Sequence, residues 1–259
     1  RFLENPMVLK NGRYELDLSD FEEKIKKFRP TLFLLVSPHN PTGRVFSKEE
    51  LEQMVNICAK YNVLILSDEV HFLITYDGHS HTPILGLSEE ARKIAIMVFS
   101  FSKGFNIMGL PHAITLIANP ELQKRWDSYL IPFDFHYAVN AFSIAVITAI
   151  ASGQGDAWLQ ALTAYLKENR DLFLRAAAER KFPIHPLAPE AGFLFWIDCR
   201  TAGLPAEKLG EIFLERAGIS LNNGLEHGEA GRGFIRLNFA VTRSNLHLAL
   251  DRIEKMFFA

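Results

Sequence analysis

Hydrophobic positions in this chain alternate between short continuous runs and helical spacing, which predicts that strands and helices follow one another. Ser47 and Glu50 form a capping-box pattern that predicts the start of a helix. Asn119-Pro120 predicts another helix start, with proline at the first helical position. The alternation implies an α/β fold with a mostly parallel sheet covered by helices. The apolar runs that we interpret as strands are residues 31–36, 63–67, 94–99 and 112–118.

The hydrophobic pattern changes after Gly153-Gln154-Gly155, which ends a helix of small residues expected at about 138–151. A long amphipathic helix is predicted from Asp156 to about Arg180. We therefore predict a large α/β domain over residues 1–155 and a smaller α+β domain over residues 156–259, entered by that helix. The other predicted elements of the smaller domain are strand 192–198, helix 206–217, strand 233–239 and a final helix from about Ser244.

Composition and charge limit the function classes to which the chain can belong. An apolar fraction of 48% suffices for a buried core, and a net charge of −2 gives no electrostatic footprint for nucleic acid. The apolar runs are too short to span a bilayer, and the 2 cysteines do not make a disulfide framework. We therefore expect a cytoplasmic protein without nucleic-acid or membrane partners.

Lys103 lies between small residues just after the strand predicted at 94–99. A lysine in such a place can form a Schiff base with a carbonyl. Ser100 and Ser102 offer hydroxyl groups that can hold a phosphate. The alternative is an ordinary loop lysine with strand-end serines, and this short pattern taken alone favours that alternative.

Further polar side chains accompany the other predicted strands. Asn40 follows the first strand, Asp68 and His71 follow the second, and Arg236 lies in the strand predicted at 233–239. In open α/β sheets, ligands bind outside the carboxyl ends of the strands. We therefore expect these side chains to share one site with the lysine.

Pyridoxal phosphate (PLP) is a carbonyl cofactor that gives each of these residue types a task. Asp68 would keep the ring nitrogen protonated, and Asn40 would donate to the phenolic oxygen. Arg236 would grip the carboxylate of an amino-acid substrate in a bidentate way. Lys103 would hold the cofactor and then move the α-proton of the substrate.

The motifs N-P-T-G at 40–43, D-E-x-H at 68–71, S-x-S-K at 100–103 and R-L-N at 236–238 carry a family resemblance. In this order they resemble the PLP-dependent aminotransferases of fold type I, class I/II. The sequence segments S-D-E-V-H and S-K-G-F-N-I-M-G-L are most similar to those of the cystathionine β-lyase or C–S lyase subgroup. The resemblance implies a homodimer. It also places His71 near the phenolic oxygen of the cofactor, where two roles are open: tuning of the cofactor or simple packing.

The chain departs from the family pattern at several positions. The family lysine is usually followed by Thr or Ala, here by Gly104, and many subgroup members have an acidic residue where this chain has Leu73. Residues 106–111 lack the arginine with which many aminotransferases bind phosphate, and His71 stands where many of them have tyrosine. The last two departures favour a lyase.

The resemblance implies three functional hypotheses. The leading one is a C–S β-lyase that converts L-cystathionine or cysteine S-conjugates to pyruvate, ammonia and a thiol by α,β-elimination. The second is an aminotransferase of a small L-amino acid. The third is a catalytically inactive truncated or regulatory relative, because the chain starts in what resembles the middle of the family's large domain.

Some conspicuous residues are interpreted without a functional role. His79-Ser80-His81 lacks a third ligand at a telling spacing, so we expect a solvated loop and no metal site. Arg44 and Arg243 are interpreted as surface or helix-end charges.

Overall fold

A computed structural model describes residues 2–133 and 139–258 as two sheets of four strands each, a short hairpin and nine α-helices within those ranges. The strands are β1 Val8–Lys10, β2 Arg13–Glu15, β3 Leu32–Val36, β4 Leu64–Asp68, β5 Ala95–Phe99, β6 Ile114–Ile117, β7 His185–Leu187, β8 Leu194–Asp198, β9 Asn222–Asn223 and β10 Phe234–Asn238. The helices are α1 Leu18–Phe28, α2 Lys48–Lys60, α3 Glu89–Ile94, α4 Ser102–Phe105, α5 Pro120–Leu130, α6 Ala141–Ala151, α7 Asp156–Glu179, α8 Leu209–Ile212 and α9 Arg243–Phe258.

The first sheet has the strand order β3-β4-β5-β6, with β3, β4 and β5 parallel and β6 antiparallel to β5. Asp68, at the end of β4, pairs with Val36 on one side and with Val98 on the other. The carboxyl ends of the three parallel strands therefore meet at one edge of the sheet. The predicted α/β fold with a mostly parallel sheet is confirmed.

Helix α2 covers this sheet through an apolar face that the sequence predicted. Leu51, Met54 and Val55 are buried in a hydrophobic cluster with residues of β3, β4 and β5. The helix begins at the predicted capping box, because Ser47 Oγ accepts a hydrogen bond from Glu50 N (3.2 Å) and a Glu50 carboxylate oxygen accepts one from Ser47 N (2.8 Å).

The second sheet is antiparallel, with the strand order β7-β8-β10-β9, and α7 and α9 pack against it. Its core contains a run of aromatic side chains, in which the Phe195 ring lies 4.8 Å from that of Phe173 and 4.6 Å from that of Phe239. The single helix predicted at 206–217 is instead a 3₁₀ turn, α8 and a π-helical turn, Phe213–Ala217, that ends at Gly218. Gly218 has a φ of 64°, which glycine adopts without strain.

Residues 69–84 form a strap that joins the first sheet to the core of the second. Ile74 and Tyr76 are buried in the second hydrophobic cluster, and the Tyr76 hydroxyl donates to the carbonyl of Gly192 at 2.6 Å. Asp77 pairs with the Arg170 guanidinium of α7 at 2.6 Å. The strap belongs to residues 1–155 but packs in the core of the second sheet, which lies within residues 156–259. The domain division at residue 155 therefore stays a prediction.

Several elements were not predicted from the sequence. These are the β1–β2 hairpin, α1 with its Asp17 cap, and the short strands β7 and β9. Helix α6 begins at Ala141, where Asn140 caps it, while position 138 of the expected helix lies outside the described residues. Among the described helices, none has the length and apolar character needed to cross a membrane.

Candidate active site at the strand ends

The carboxylate of Asp68 lies in the centre of the first sheet, at the carboxyl end of β4. Its Oδ1 accepts a hydrogen bond from Val70 N at 3.2 Å, which fixes the side chain at the start of the strap. The neighbouring strand β5 leads through Ser100 into α4, which holds Lys103. Because β4 and β5 are parallel neighbours, the aspartate and the lysine turn emerge at the same edge of the sheet, as the sequence predicted.

The two serines before the lysine form a compact hydroxyl pair. Ser100 is buried, and its Oγ donates to Ser102 Oγ at 2.9 Å and accepts from Ser102 N at 3.1 Å. The His112 Nε2 accepts from Phe101 N at 3.2 Å, so its Nδ1 carries the proton that is donated to the carbonyl of Leu110 at 2.8 Å. His112 thereby holds the serine loop in place, a role that its position in a predicted strand did not indicate.

The amine of Lys103 is not engaged by a carboxylate in the part of the chain that the structure describes. Its Nζ donates to the thioether sulfur of Met108 at 3.1 Å. A thioether is a weak acceptor, so this contact orients the amine without holding it strongly.

His71 is buried, and its Nδ1 is without a hydrogen-bond partner among the described residues. Its ring packs edge-on against Phe193, with the centroids 5.7 Å apart. Burial, followed by the positive charges of Lys103 and Arg236, lowers the pKa of His71 from 6.5 to about 4. The imidazole is therefore neutral near pH 7, and it lies within the electrostatic reach of both cations.

Arg236 on β10 is held by two amide side chains. Its Nη1 donates to Asn40 Oδ1 at 3.2 Å and its Nη2 to Asn222 Oδ1 at 2.8 Å. No ion pair with a carboxylate is found for this guanidinium within residues 2–133 and 139–258. The first contact brings together two predicted site residues that are far apart in sequence. Asn222 was missed, because nothing in its short strand indicates an arginine partner.

A cleft of about 200 Å³ of empty space, including open solvent, lies between the loop after β3 and the start of β8. Asn40, His71 and Gly192 contribute to its wall. The site residues thus fall into two groups, the Asn40–Arg236 pair beside this cleft and the Ser100–Ser102 pair beside Lys103. In the described structure no hydrogen bond joins Asp68 to either group.

Interpretations of residues outside the site were wrong at two positions. His79 and Ser80 are exposed, as expected of a solvated loop, but His81 is not, because its buried ring bonds through Nε2 to Glu69 at 2.7 Å. Arg44 is not a surface charge, because its side chain is 2% exposed and pairs with Glu50 at 2.6 Å. Both residues are of polar types, for which the sequence alone predicts exposure, and only the tertiary packing buries them. No group of three potential metal ligands occurs among the residues that the structure describes.

We expect the buried neutral His71 to make stability depend on pH. Because its pKa is about 4 in the folded state and 6.5 ordinarily, the unfolded chain binds the proton first as pH falls. Its contribution is complete above pH 6.5 and is lost as the pH falls towards about 4. The loss is on the order of 3 kcal/mol, since one pKa unit corresponds to about 1.4 kcal/mol.

The measurement is urea unfolding of the wild-type chain and of His71→Gln at about pH 7 and about pH 4.5. The variant should lose less stability between the two values than the wild type. Burial also lowers the pKa of His39 to about 4, but that effect is shared by both proteins and cancels in the comparison. Equal losses in both proteins would contradict the buried, neutral state of His71.

Comparison with known proteins identifies the family. The family model for aminotransferase class I and II matches residues 7–253, so this chain belongs to that family of PLP-dependent enzymes. The chain is similar to cystathionine beta-lyase PatB of Bacillus subtilis (strain 168), with 32% identity over 252 residues, 97% of this chain and 65% of the relative. It is also similar to the protein MalY of Escherichia coli (strain K12), with 33% identity over 233 residues, 89% of this chain and 58% of the relative.

Solved structures agree with this assignment. A PLP-bound putative aminotransferase from Clostridium difficile 630 matches with a TM-score of 0.92 and 35% identity, over 98% of this chain and 65% of that one. The PLP-bound C-S lyase from Staphylococcus hominis matches with a TM-score of 0.87 and 30% identity, over 98% of this chain and 64% of that one. The predicted fold and family resemblance are confirmed, and the chain spans about two-thirds or less of the length of each of these relatives.

Proposed function

We propose that this chain belongs to a C–S β-lyase that uses PLP to eliminate a thiol from L-cystathionine or a cysteine S-conjugate. The observation that carries the proposal is the environment of His71, whose buried Nδ1 lacks a partner in the described structure while the charges of Lys103 and Arg236 act on its ring. Relatives named as cystathionine beta-lyase or C-S lyase, similar over nearly the whole chain, support the choice of reaction.

The side chains at the strand ends fit PLP. Asp68 ends the central strand and can stabilise a protonated ring nitrogen. Asn40 uses its oxygen for Arg236, which leaves its amide N–H groups to donate to the phenolic oxygen. Ser100 and Ser102 would hold the phosphate through their hydroxyls. When bound, PLP supplies the electron sink that makes the α-proton of an amino acid acidic.

Arg236 and Lys103 would act on the substrate. The guanidinium of Arg236 would bind the α-carboxylate in a bidentate way, with Asn40 and Asn222 fixing its plane. Lys103 would take the α-proton on Nζ as a general base. With L-cystathionine, the carbon–sulfur bond at Cβ then breaks and homocysteine leaves as the thiol. Overall, one water is consumed and pyruvate and ammonia are released.

The test is pyruvate release from L-cystathionine by this chain with added PLP and no keto acid, followed with lactate dehydrogenase. Pyruvate formation that is lost in Arg236→Lys and kept in Arg243→Lys supports the lyase. Arg243 is a matched control, because it pairs with Glu168 at 2.8 Å outside the proposed site. Turnover only with a keto-acid acceptor would make the protein an aminotransferase, and no turnover in either assay would overturn catalysis by this chain.

We also infer that the protein forms a homodimer in the cytoplasm. Helix α6 carries apolar side chains along nearly its whole length, yet Phe142 and Ile144 are 75% and 55% exposed. Exposed apolar surface of this kind supports a partner interface. Sedimentation equilibrium at twice the mass of one chain is the expected result, and a monomer would contradict it.

A further inference from the structure

The turn that carries Lys103, helix α4, packs closely against the strap at Gly104. A Cβ atom placed on Gly104 would lie 2.6 Å from Leu73 Cδ1, 3.1 Å from Leu73 Cβ and 3.3 Å from Leu159 Cδ1. Cβ atoms essentially never lie 2.6 Å from another heavy atom, so a side chain at position 104 would have to displace Leu73. Gly104 lies inside α4 and does not have a positive φ. Close approach of Leu73, and not an unusual backbone conformation, therefore disfavours a side chain at this position.

The next residue of the turn makes a second close contact, with the beginning of α7. Phe105 lies so close to Gly155 that a Cβ on this glycine would overlap the phenyl ring. Gly155 is the N-cap of α7, and Leu159 lies one turn further along the same helix. The lysine turn therefore packs closely against both the strap and the first turns of α7.

The strap is itself firmly fastened where it leaves the sheet. The buried carboxylate of Glu69 accepts hydrogen bonds from Ser67 Oγ at 2.8 Å and from Ile84 N at 3.0 Å. His81 adds a third contact to the same carboxylate at 2.7 Å. Both ends of the strap, residues 69 and 84, are thereby fixed at one point. Leu73 and His71 share the turn that follows Glu69, so they keep one position relative to each other.

We propose that Leu73, acting through Gly104, is a positioning residue that sets the place of Lys103 relative to His71. The strap fixes Leu73, the contact with Gly104 fixes α4, and α4 carries the amine. The inference rests on the proposed function for the role of Lys103 as cofactor lysine. The contact itself is a property of the chain without cofactor.

The direction in which Gly104→Ala shifts the thermal midpoint of unfolding shows whether Leu73 packs closely against Gly104. Alanine is the better helix former, so Gly104→Ala would raise the thermal midpoint if space were free. The overlap with Leu73 predicts a lower midpoint instead, and Leu73→Ala in the same chain should recover part of that loss. Gly86→Ala is the matched control, because Gly86 is also helical and a Cβ there meets nothing within 4 Å.

The positioning role is tested by the reactivity of the Lys103 amine in the wild type, both single variants and the double variant. Trace acetylation with acetic anhydride, read by mass spectrometry without cofactor, compares Lys103 with the exposed Lys48 and Lys93. Gly104→Ala should change the relative rate by about threefold or more, and the double variant should return it to within about twofold. Borohydride trapping after incubation with PLP should show that Gly104→Ala slows adduct formation at Lys103 about tenfold. The double variant should return this rate to within about twofold of the wild type.

The outcomes separate the two proposals. In one outcome the wild-type chain forms no adduct at Lys103, but the acetylation rate of Lys103 changes in Gly104→Ala and returns in the double variant. This outcome would overturn the proposed function and support the positioning role. A wild-type chain that forms the adduct, with Gly104→Ala unchanged or not recovered by Leu73→Ala, would overturn the positioning role alone. A Gly86→Ala variant that disturbed Lys103 as strongly as Gly104→Ala would also overturn it.

Discussion

Lys103→Arg is expected to abolish covalent attachment of PLP and with it all pyruvate formation. A guanidinium stays protonated and is not a nucleophile, so it cannot form a Schiff base with the cofactor carbonyl. The substitution keeps a positive charge near His71, so the electrostatic environment and the fold should change little. The measurement is borohydride reduction after incubation with PLP, followed by mass spectrometry of the peptides.

A matched control separates loss of the reacting amine from a general effect of replacing lysine by arginine. Lys93→Arg alters an exposed lysine that pairs with Glu90 on α3. This variant should keep the adduct at Lys103 in full yield. An adduct of undiminished yield in Lys103→Arg, or turnover by that variant, would show that another lysine holds the cofactor.

Much of the first sheet could be predicted from sequence because its determinants are local. The runs that became β3, β4 and β5 are apolar and bounded by polar residues, as strands buried on both faces require. The start of α2 depends on Ser47 and Glu50, which lie within one turn of each other. Parallel strands end at one edge, so placing Asp68 near the lysine turn needed only the correct strand assignments.

The contacts that the sequence did not predict are tertiary. Asn222 binds Arg236 only because β9 pairs with β10, and a strand of two residues has no detectable period. The burial of Arg44 and His81 likewise depends on the partners Glu50 and Glu69. Polar type alone predicted exposure for these two side chains, whereas the contacts with the two glutamates are what makes their burial tolerable.

Gly104 and Leu73 show how a sequence observation can be correct and still incomplete. Each was noted separately as a departure from the family pattern. In the structure they touch, since Leu73 fills the space in which a side chain at position 104 would lie. The two departures therefore lie at packing neighbours, which a single sequence without a structure cannot show.

Asp68→Asn is expected to reduce pyruvate formation about a hundredfold or more while leaving the Lys103 adduct in place. An asparagine has the same shape and can still accept the hydrogen bond from Val70 N, so the turn after β4 should be kept. It lacks the negative charge that stabilises a proton on the ring nitrogen, and proton removal from the substrate becomes slower. Comparison of kcat with the yield of trapped adduct separates the two effects.

The charge of Asp68, and not its packing, is what this substitution removes. Unchanged thermal stability, an unchanged adduct and a strongly reduced kcat together would support its role at the ring nitrogen. An Asp68→Asn variant with normal turnover would show that the carboxylate does not act on the cofactor. Equal loss of adduct and turnover would instead mean that Asp68 shapes the lysine turn. Because Asp68 lies on the strand between those leading to Asn40 and Lys103, a structural role would also lower the unfolding temperature, which a role in charge stabilisation would not.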